Sequence, residues 1–256
     1  MLTLTLSVIG LGLGVFAGIW YHRQGRPVWR SLGITVDRRT PLDVVAGLVF
    51  PFAAISLVFL VEWSLGAIEV SAAGLSPAGF FAALGEIAGF AAFEEFVFRV
   101  LMLSGLVILF RRFAAGRWLA VGLTALVFGA AHLTNEHATL LTAFGTGLGG
   151  VIYGVAFLAT RSFWLPLALH ISWNLSQALW GFPVSGNTSW PGWVATEAVG
   201  DELLSGGAYG PEAGIPGMVS RLLILVLVVL YVKLRWSNGS VATLVFAPDP
   251  VKRSRG

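Results

Sequence analysis

Ala92-Phe93-Glu94-Glu95-Phe96-Val97-Phe98-Arg99 places two adjacent carboxylates and an arginine inside an apolar run from Ala78 to Phe110. Charges at membrane depth cost several kcal/mol each and are rarely kept without a use. Glu95 and Arg99 are spaced i, i+4 and can pair along one helix face. Glu94 is rotated about 100° away on the same helix and is left to point elsewhere. The reading is therefore a structural ion pair holding a chemically available carboxylate. The other polar groups at membrane depth should converge on Glu94.

The rest of the composition agrees that this stretch is intramembrane. Of 256 residues, 56% are hydrophobic and 11% charged, and the mean hydropathy is +0.82. That is a polytopic membrane protein of the all-α kind, a single integral membrane domain over 1–256. The pI near 9.7 reads as positive-inside loops against a lipid bilayer, not as nucleic-acid binding. With no cysteine, disulfides, thiolate nucleophiles and Cys-ligated metals are excluded. Leu2–Trp20 has no basic n-region and no A-x-A site, so it reads as a retained first span, not a signal peptide.

Working outward, the spans are Leu2–Tyr21, Leu42–Val61 after Thr40-Pro41, the run opened by Ser76-Pro77, Trp118–Leu133, Ala138–Thr160, Phe163–Phe182 and Met218–Val232. Pro suits a first helical turn. The third run is about 33 residues, roughly 50 Å if helical, where one span needs about 20 residues. It must be tilted, overshoot the bilayer or break, with Gly85 and Gly89 as candidate weak points. The chain thus reads as a bundle of seven transmembrane helices, or eight if this run is two pieces. Residues 76–182 form the core that carries the chemistry, and 183–216 is an extracytoplasmic loop, with Trp190 and Trp193 at the interface.

All Lys and Arg except Arg99 and Arg221 fall on one side of this threading, including Lys252, Arg253 and Arg255 in the tail. The opposite loops hold Glu62, Glu69, Glu136, Glu197, Asp201, Glu202 and Glu212, with no Lys or Arg. Loop asymmetry of this kind predicts a multi-pass protein of the cell membrane, with the N-terminus outside and the C-terminus cytoplasmic.

Within the spans the strongly polar groups are Glu86, Glu94, Glu95, Arg99, His132, His170, Asn174 and Gln177. Six of them form three motifs: E-E-x-x-x-R, F-x-x-x-H ending at His132, and H-x-x-x-N at His170 and Asn174. A carboxylate and two imidazoles from three helices suffice for hydrolysis. A buried Glu is a usable base near neutral pH and can take a proton from a water attacking an amide. His and Asn donors can stabilise the oxyanion. Alternatively Glu94, His132 and His170 can hold a divalent metal such as zinc, leaving an open position for that water. The spacing is not H-E-x-x-H.

Blander readings stand beside these. A lone intramembrane His is often a helix-packing partner, and Gln177 reads as an interhelical hydrogen bond. Glu86 faces a wet cavity or the interface. Gly145-x-Gly147-x-x-Gly150 matches a dinucleotide fingerprint by letter but follows no strand, so Gly145/Gly149 and Gly150/Gly154 read as small-residue helix packing.

E-E-F-V-F-R, F-G-A-A-H and H-I-S-W-N, in that order, together with Ser162-Phe163-Trp164-Leu165-Pro166, resemble the CAAX protease and bacteriocin-processing family, relatives of the Ras-converting CAAX prenyl endopeptidases. The resemblance implies an intramembrane endopeptidase acting on a peptide or membrane-protein substrate. Glu94 would be the water-activating base, Glu95 and Arg99 its support, and His132, His170 and Asn174 metal ligands or oxyanion donors. A prenylated cysteine is a eukaryotic modification and this loop-poor chain reads as prokaryotic, so bacteriocin-type maturation or self-immunity fits better. Two rivals are a non-enzymatic immunity or scaffold protein and a proton-coupled transporter; the lack of an internal repeat counts against the latter. Helix counting puts Glu94 and His132 in the outer half but His170 roughly 12 Å from its cytoplasmic end, so convergence needs tilt, a kink or a shifted boundary.

Overall fold

A computed structural model describes residues 2–236; the basic tail residues Lys252, Arg253 and Arg255 lie outside them. The helices, in order, are α1 (Leu2–Arg23), the short α2 (Val28–Ser31), α3 (Thr40–Ser64), α4 (Pro77–Glu95), α5 (Ser104–Leu109), α6 (Gly116–Ala131), α7 (Leu140–Thr160), α8 (Trp164–Leu179), the short α9 (Glu202–Ser205) and α10 (Ile215–Trp236). Five of these, α1, α3, α6, α7 and α10, contain segments long and apolar enough to cross a membrane. The protein is a polytopic helical membrane protein. The two other long helices fall outside that set: α4 carries Glu86, Glu94 and Glu95, which lower its apolarity, and α8 has only 16 residues.

The long third run does not break at Gly85 or Gly89. Both lie within α4, and neither has a neighbour that a methyl group would touch. The irregularity comes later: Phe96–Leu103 is π-helical, and the flanking residues Glu95, Phe96, Leu103 and Ser104 all keep right-handed helical angles. α4, the π segment and α5 are therefore one rod with a widened middle. Ser76 begins it, accepting a hydrogen bond from Gly79 N at 3.0 Å, with Pro77 in the first turn. π segments inside α-helices are frequent at functional sites, and this one starts at the residue after Glu95.

Small residues set the packing. Gly47 on α3 sits where a Cβ would lie 2.6 Å from Ala168 on α8, so these helices touch backbone to backbone. Gly10 and Gly14 bring α1 onto Val97 and Leu101 of the π segment. The glycines of α7 divide as the sequence predicts: Gly150 and Gly154 face Ala125 and Val121 of α6, while Gly149 faces Arg221 of α10.

One departure from an all-α bundle is an antiparallel ribbon, β1 (Ile68–Ala72) with β2 (Val194–Ala198), in register Ile68↔Ala198 through Ala72↔Val194. It ties the segment after α3 to the large 183–216 loop. Asn135 Nδ2 donates to Ser185 O at 3.0 Å, adding the α6–α7 turn to the same end of the bundle. At the opposite end Phe163 N donates to Gly33 O at 3.0 Å and Trp164 Nε1 to Thr35 O at 2.8 Å. The two ends are thus assembled from the loops that the sequence assigned to opposite sides.

Candidate active site

The depth mismatch expected from helix counting is resolved by how α4 and α8 overlap. They run antiparallel, and Ile87 packs level with Ala178 and Val184. Seven residues on along α4 lies Glu94, and eight residues back along α8 lies His170. Both are roughly 11 Å deeper at 1.5 Å per residue. α4 therefore projects past the ends of its neighbours, where Trp190 of the loop donates to Glu86 at 3.0 Å. His132 sits where α6 ends and a 3-10 turn begins.

Glu94, His132 and His170 converge. His132 Nε2 lies 3.9 Å from one Glu94 oxygen and His170 Nε2 lies 3.8 Å from the other. Glu94 keeps 29% side-chain exposure, against 13% for His132 and 6% for His170. Each imidazole is fixed from behind. His132 Nδ1–H donates to Phe128 O at 2.8 Å, and His170 Nδ1–H donates to Glu95 at 2.9 Å. A carbonyl and a carboxylate are acceptors only, so both rings hold their proton on Nδ1. When neutral, each therefore turns an Nε2 lone pair toward Glu94.

Glu95 and Arg99 form the expected i, i+4 pair at 3.2 Å, with side chains 0% and 1% exposed. Beyond supporting Glu94, Glu95 orients His170. Arg99 also donates to Gly150 O at 3.4 Å and stands 4.7 Å over the Phe128 ring and 5.2 Å over Tyr153. Tyr153 stacks on His170 with centroids 4.8 Å apart. These aromatic walls lock the histidine rotamers.

Asn174 lines the same cavity, one helical turn beyond His170. Gln177 departs from expectation: its amide donates to Trp173 O in its own helix at 3.3 Å, not across helices. Residue 177 faces the packed side of α8, where its own turn supplies the nearest carbonyl.

Sequence reading missed a second polar cluster on the far wall. Glu212, from the 183–216 loop, accepts from Arg221 of α10 at 2.6 Å, Trp173 Nε1 at 2.8 Å and Ser185 Oγ at 2.6 Å. Thr146 also approaches it at 3.3 Å. Burial opposes the charge on Glu212, but Arg221, Ser185 and Trp173 outweigh it and hold the carboxyl below its ordinary range. Nearby, burial pushes the Tyr209 phenol up to about 12. The available signal was Arg221 itself, an arginine inside a span.

The cavity between the two walls has a volume of about 650 Å³. Glu94, His132 and His170 form one side; Glu212, Arg221 and the 184–190 stretch form the other. A smaller cavity of about 130 Å³ shares Glu94, His132, Thr134 and Asn135 with it and is otherwise lined by Leu6, Ser7, Phe93, Val97, Phe98 and Ala131.

As a metal site the donor set is right in kind but not in spacing. Two ligands about 2.1 Å from a tetrahedral ion stand roughly 3.4 Å apart, which is closer than the Glu94–histidine separations. Among the described residues no group of three or more His, Asp or Glu side chains is arranged to hold a metal ion.

A carboxylate thus faces two fixed imidazoles in a cavity of a helical membrane bundle. Residues 74–176 match the family model of the type II CAAX prenyl endopeptidase Rce1-like proteins. The match spans all three motifs, so this segment is similar to that family of CAAX endopeptidases. No curated protein and no solved structure gives a significant match.

Proposed function

We propose that the protein is an intramembrane endopeptidase in which Glu94 activates water for attack on a peptide bond. The observation that carries this is the convergence of His132 and His170 Nε2 on the two oxygens of one partly exposed carboxylate. Both Nε2 atoms and Glu94 are acceptors, so a water among them can direct its two hydrogens at Glu94 and one imidazole. Its oxygen lone pair then faces the cavity. Glu94 takes the proton as the water oxygen bonds to the scissile carbon. The oxyanion accepts from Asn174 Nδ2, since the neutral imidazoles have no Nε2–H to give. Glu94 returns its proton to the leaving nitrogen as the C–N bond breaks.

The paired cavities fit an extended peptide whose main chain lies along the polar 184–190 stretch and whose one apolar side chain enters the smaller, Leu6/Val97-lined space. The test is cleavage of a membrane-anchored reporter in proteoliposomes by Glu94→Gln. The expected result is no product from a protein that still inserts and melts as the parent does. Parental cleavage by that variant would end the proposal.

A further inference from the structure

The end of the bundle onto which the cavity opens can be assigned from charge. Among the described residues, Arg23, Arg26, Arg30, Arg38, Arg39, Arg111, Arg112, Arg117, Arg161, Lys233 and Arg235 all belong to the end where Phe163 bonds Gly33. The remaining two, Arg99 and Arg221, are buried in ion pairs. The other end, made of the segments 65–76, 132–139 and 180–214, has no Lys or Arg and carries Glu69, Glu136, Glu197, Asp201 and Glu202. The main cavity is lined by Thr134–Glu136 and Val184–Trp190, all from this second end. Lys and Arg in short loops mark the cytoplasmic side of a membrane protein.

The cavity's own charge adds a second constraint. Among the described residues, the only Arg or Lys that lines it is Arg221, already held by Glu212 at 2.6 Å, while Glu136 lines its rim. Among the described residues, no unpaired Lys or Arg lines it to meet a chain's terminal carboxylate.

Building on the endopeptidase reading, we propose that the cavity opens on the extracytoplasmic face and takes internal segments of polypeptides presented there, not C-terminal segments delivered from the cytoplasm.

The chain has no cysteine, so single-cysteine variants report cleanly on side. Thr188→Cys sits at the cavity rim and Val36→Cys on the basic end; both positions are exposed. Each full-length variant is treated with a membrane-impermeant maleimide in intact cells, after permeabilisation, and in detergent to show that the thiol reacts. The expected pattern is Thr188→Cys labelled in intact cells and Val36→Cys only after permeabilisation. The reverse pattern, or equal labelling of both in intact cells, overturns the assignment. The substrate half is read in proteoliposomes with one internally quenched apolar peptide made with a free or an amidated C-terminus. Equal cleavage, or faster cleavage of the amide, supports it; a tenfold preference for the free acid overturns it. Cleavage of neither peptide sinks the endopeptidase reading and the substrate half with it, while the labelling still decides the side.

Discussion

The cavity is flanked by two buried carboxylate–arginine pairs that do different things. Glu95–Arg99 lies within one helix, and its carboxylate has an oxygen left to aim His170. Glu212–Arg221 joins a loop to a helix, and its carboxylate is filled by Arg221, Trp173, Ser185 and Thr146. One pair orients His170; the other holds the far wall in place. Glu94 differs from both: among the described residues it has no Lys or Arg partner, only two histidines, and it is partly exposed. Burial of charge alone therefore does not single out Glu94. Under the proposed mechanism, what marks Glu94 is a partly exposed carboxylate beside two oriented imidazoles.

The sharpest way to break this contrast is to remove Glu94. Glu94→Gln should lower cleavage by about 10³-fold, within the range for a general base, with no loss of thermal stability. Next is Arg99→Met, which strands Glu95 in the core. Losing one partner of a buried pair costs about 3–5 kcal/mol, so the variant should express poorly and melt early. Normal melting with normal activity would show that the pair is dispensable.

Glu212→Gln should act mainly on the loop. Its carboxyl is held below the ordinary value of 4.5, so the pair's contribution is complete above that value and is lost as pH falls through the lower folded one. The parent should therefore lose protection of the 183–216 loop to limited proteolysis as the medium is acidified, while Glu212→Gln should be cut more readily at neutral pH and change little with acid. Identical pH profiles for the two would contradict the assigned role. A smaller effect is expected at Gln177, where Gln177→Leu removes a bond internal to α8 and should change the melting temperature by only a few degrees. Metal analysis sharpens the mechanism: protein purified without chelator should carry well under one ion per chain. A full equivalent, lost in His132→Ala and His170→Ala, would replace the metal-free route.

The near wall was legible in sequence because polar groups inside apolar spans stand out. Glu94, His132, His170 and Asn174 could be found by elimination, and the structure brings them to one cavity. The far wall was not. Glu212 sits among other acidic residues of a polar loop, and only tertiary docking buries it. The β1–β2 pairing was hidden for the same reason, joining segments more than 100 residues apart. The π segment leaves no compositional mark, because Phe96–Leu103 differs from an α-helix only in which carbonyl each amide selects. Gly85 and Gly89 suggested a break there by composition, but a helix at a lipid or cavity face tolerates glycine.

The most direct test of the central claim asks whether Glu94 and His170 act as one unit. Cleavage kinetics for Glu94→Gln, His170→Ala and the double variant form a cycle. If the imidazole serves by holding the water that Glu94 deprotonates, the double variant should be no slower than Glu94→Gln alone, since groups acting together are strongly non-additive. Losses that multiply, with the double variant slower by the product of the two single effects, would mean independent roles and would contradict a shared water at this site.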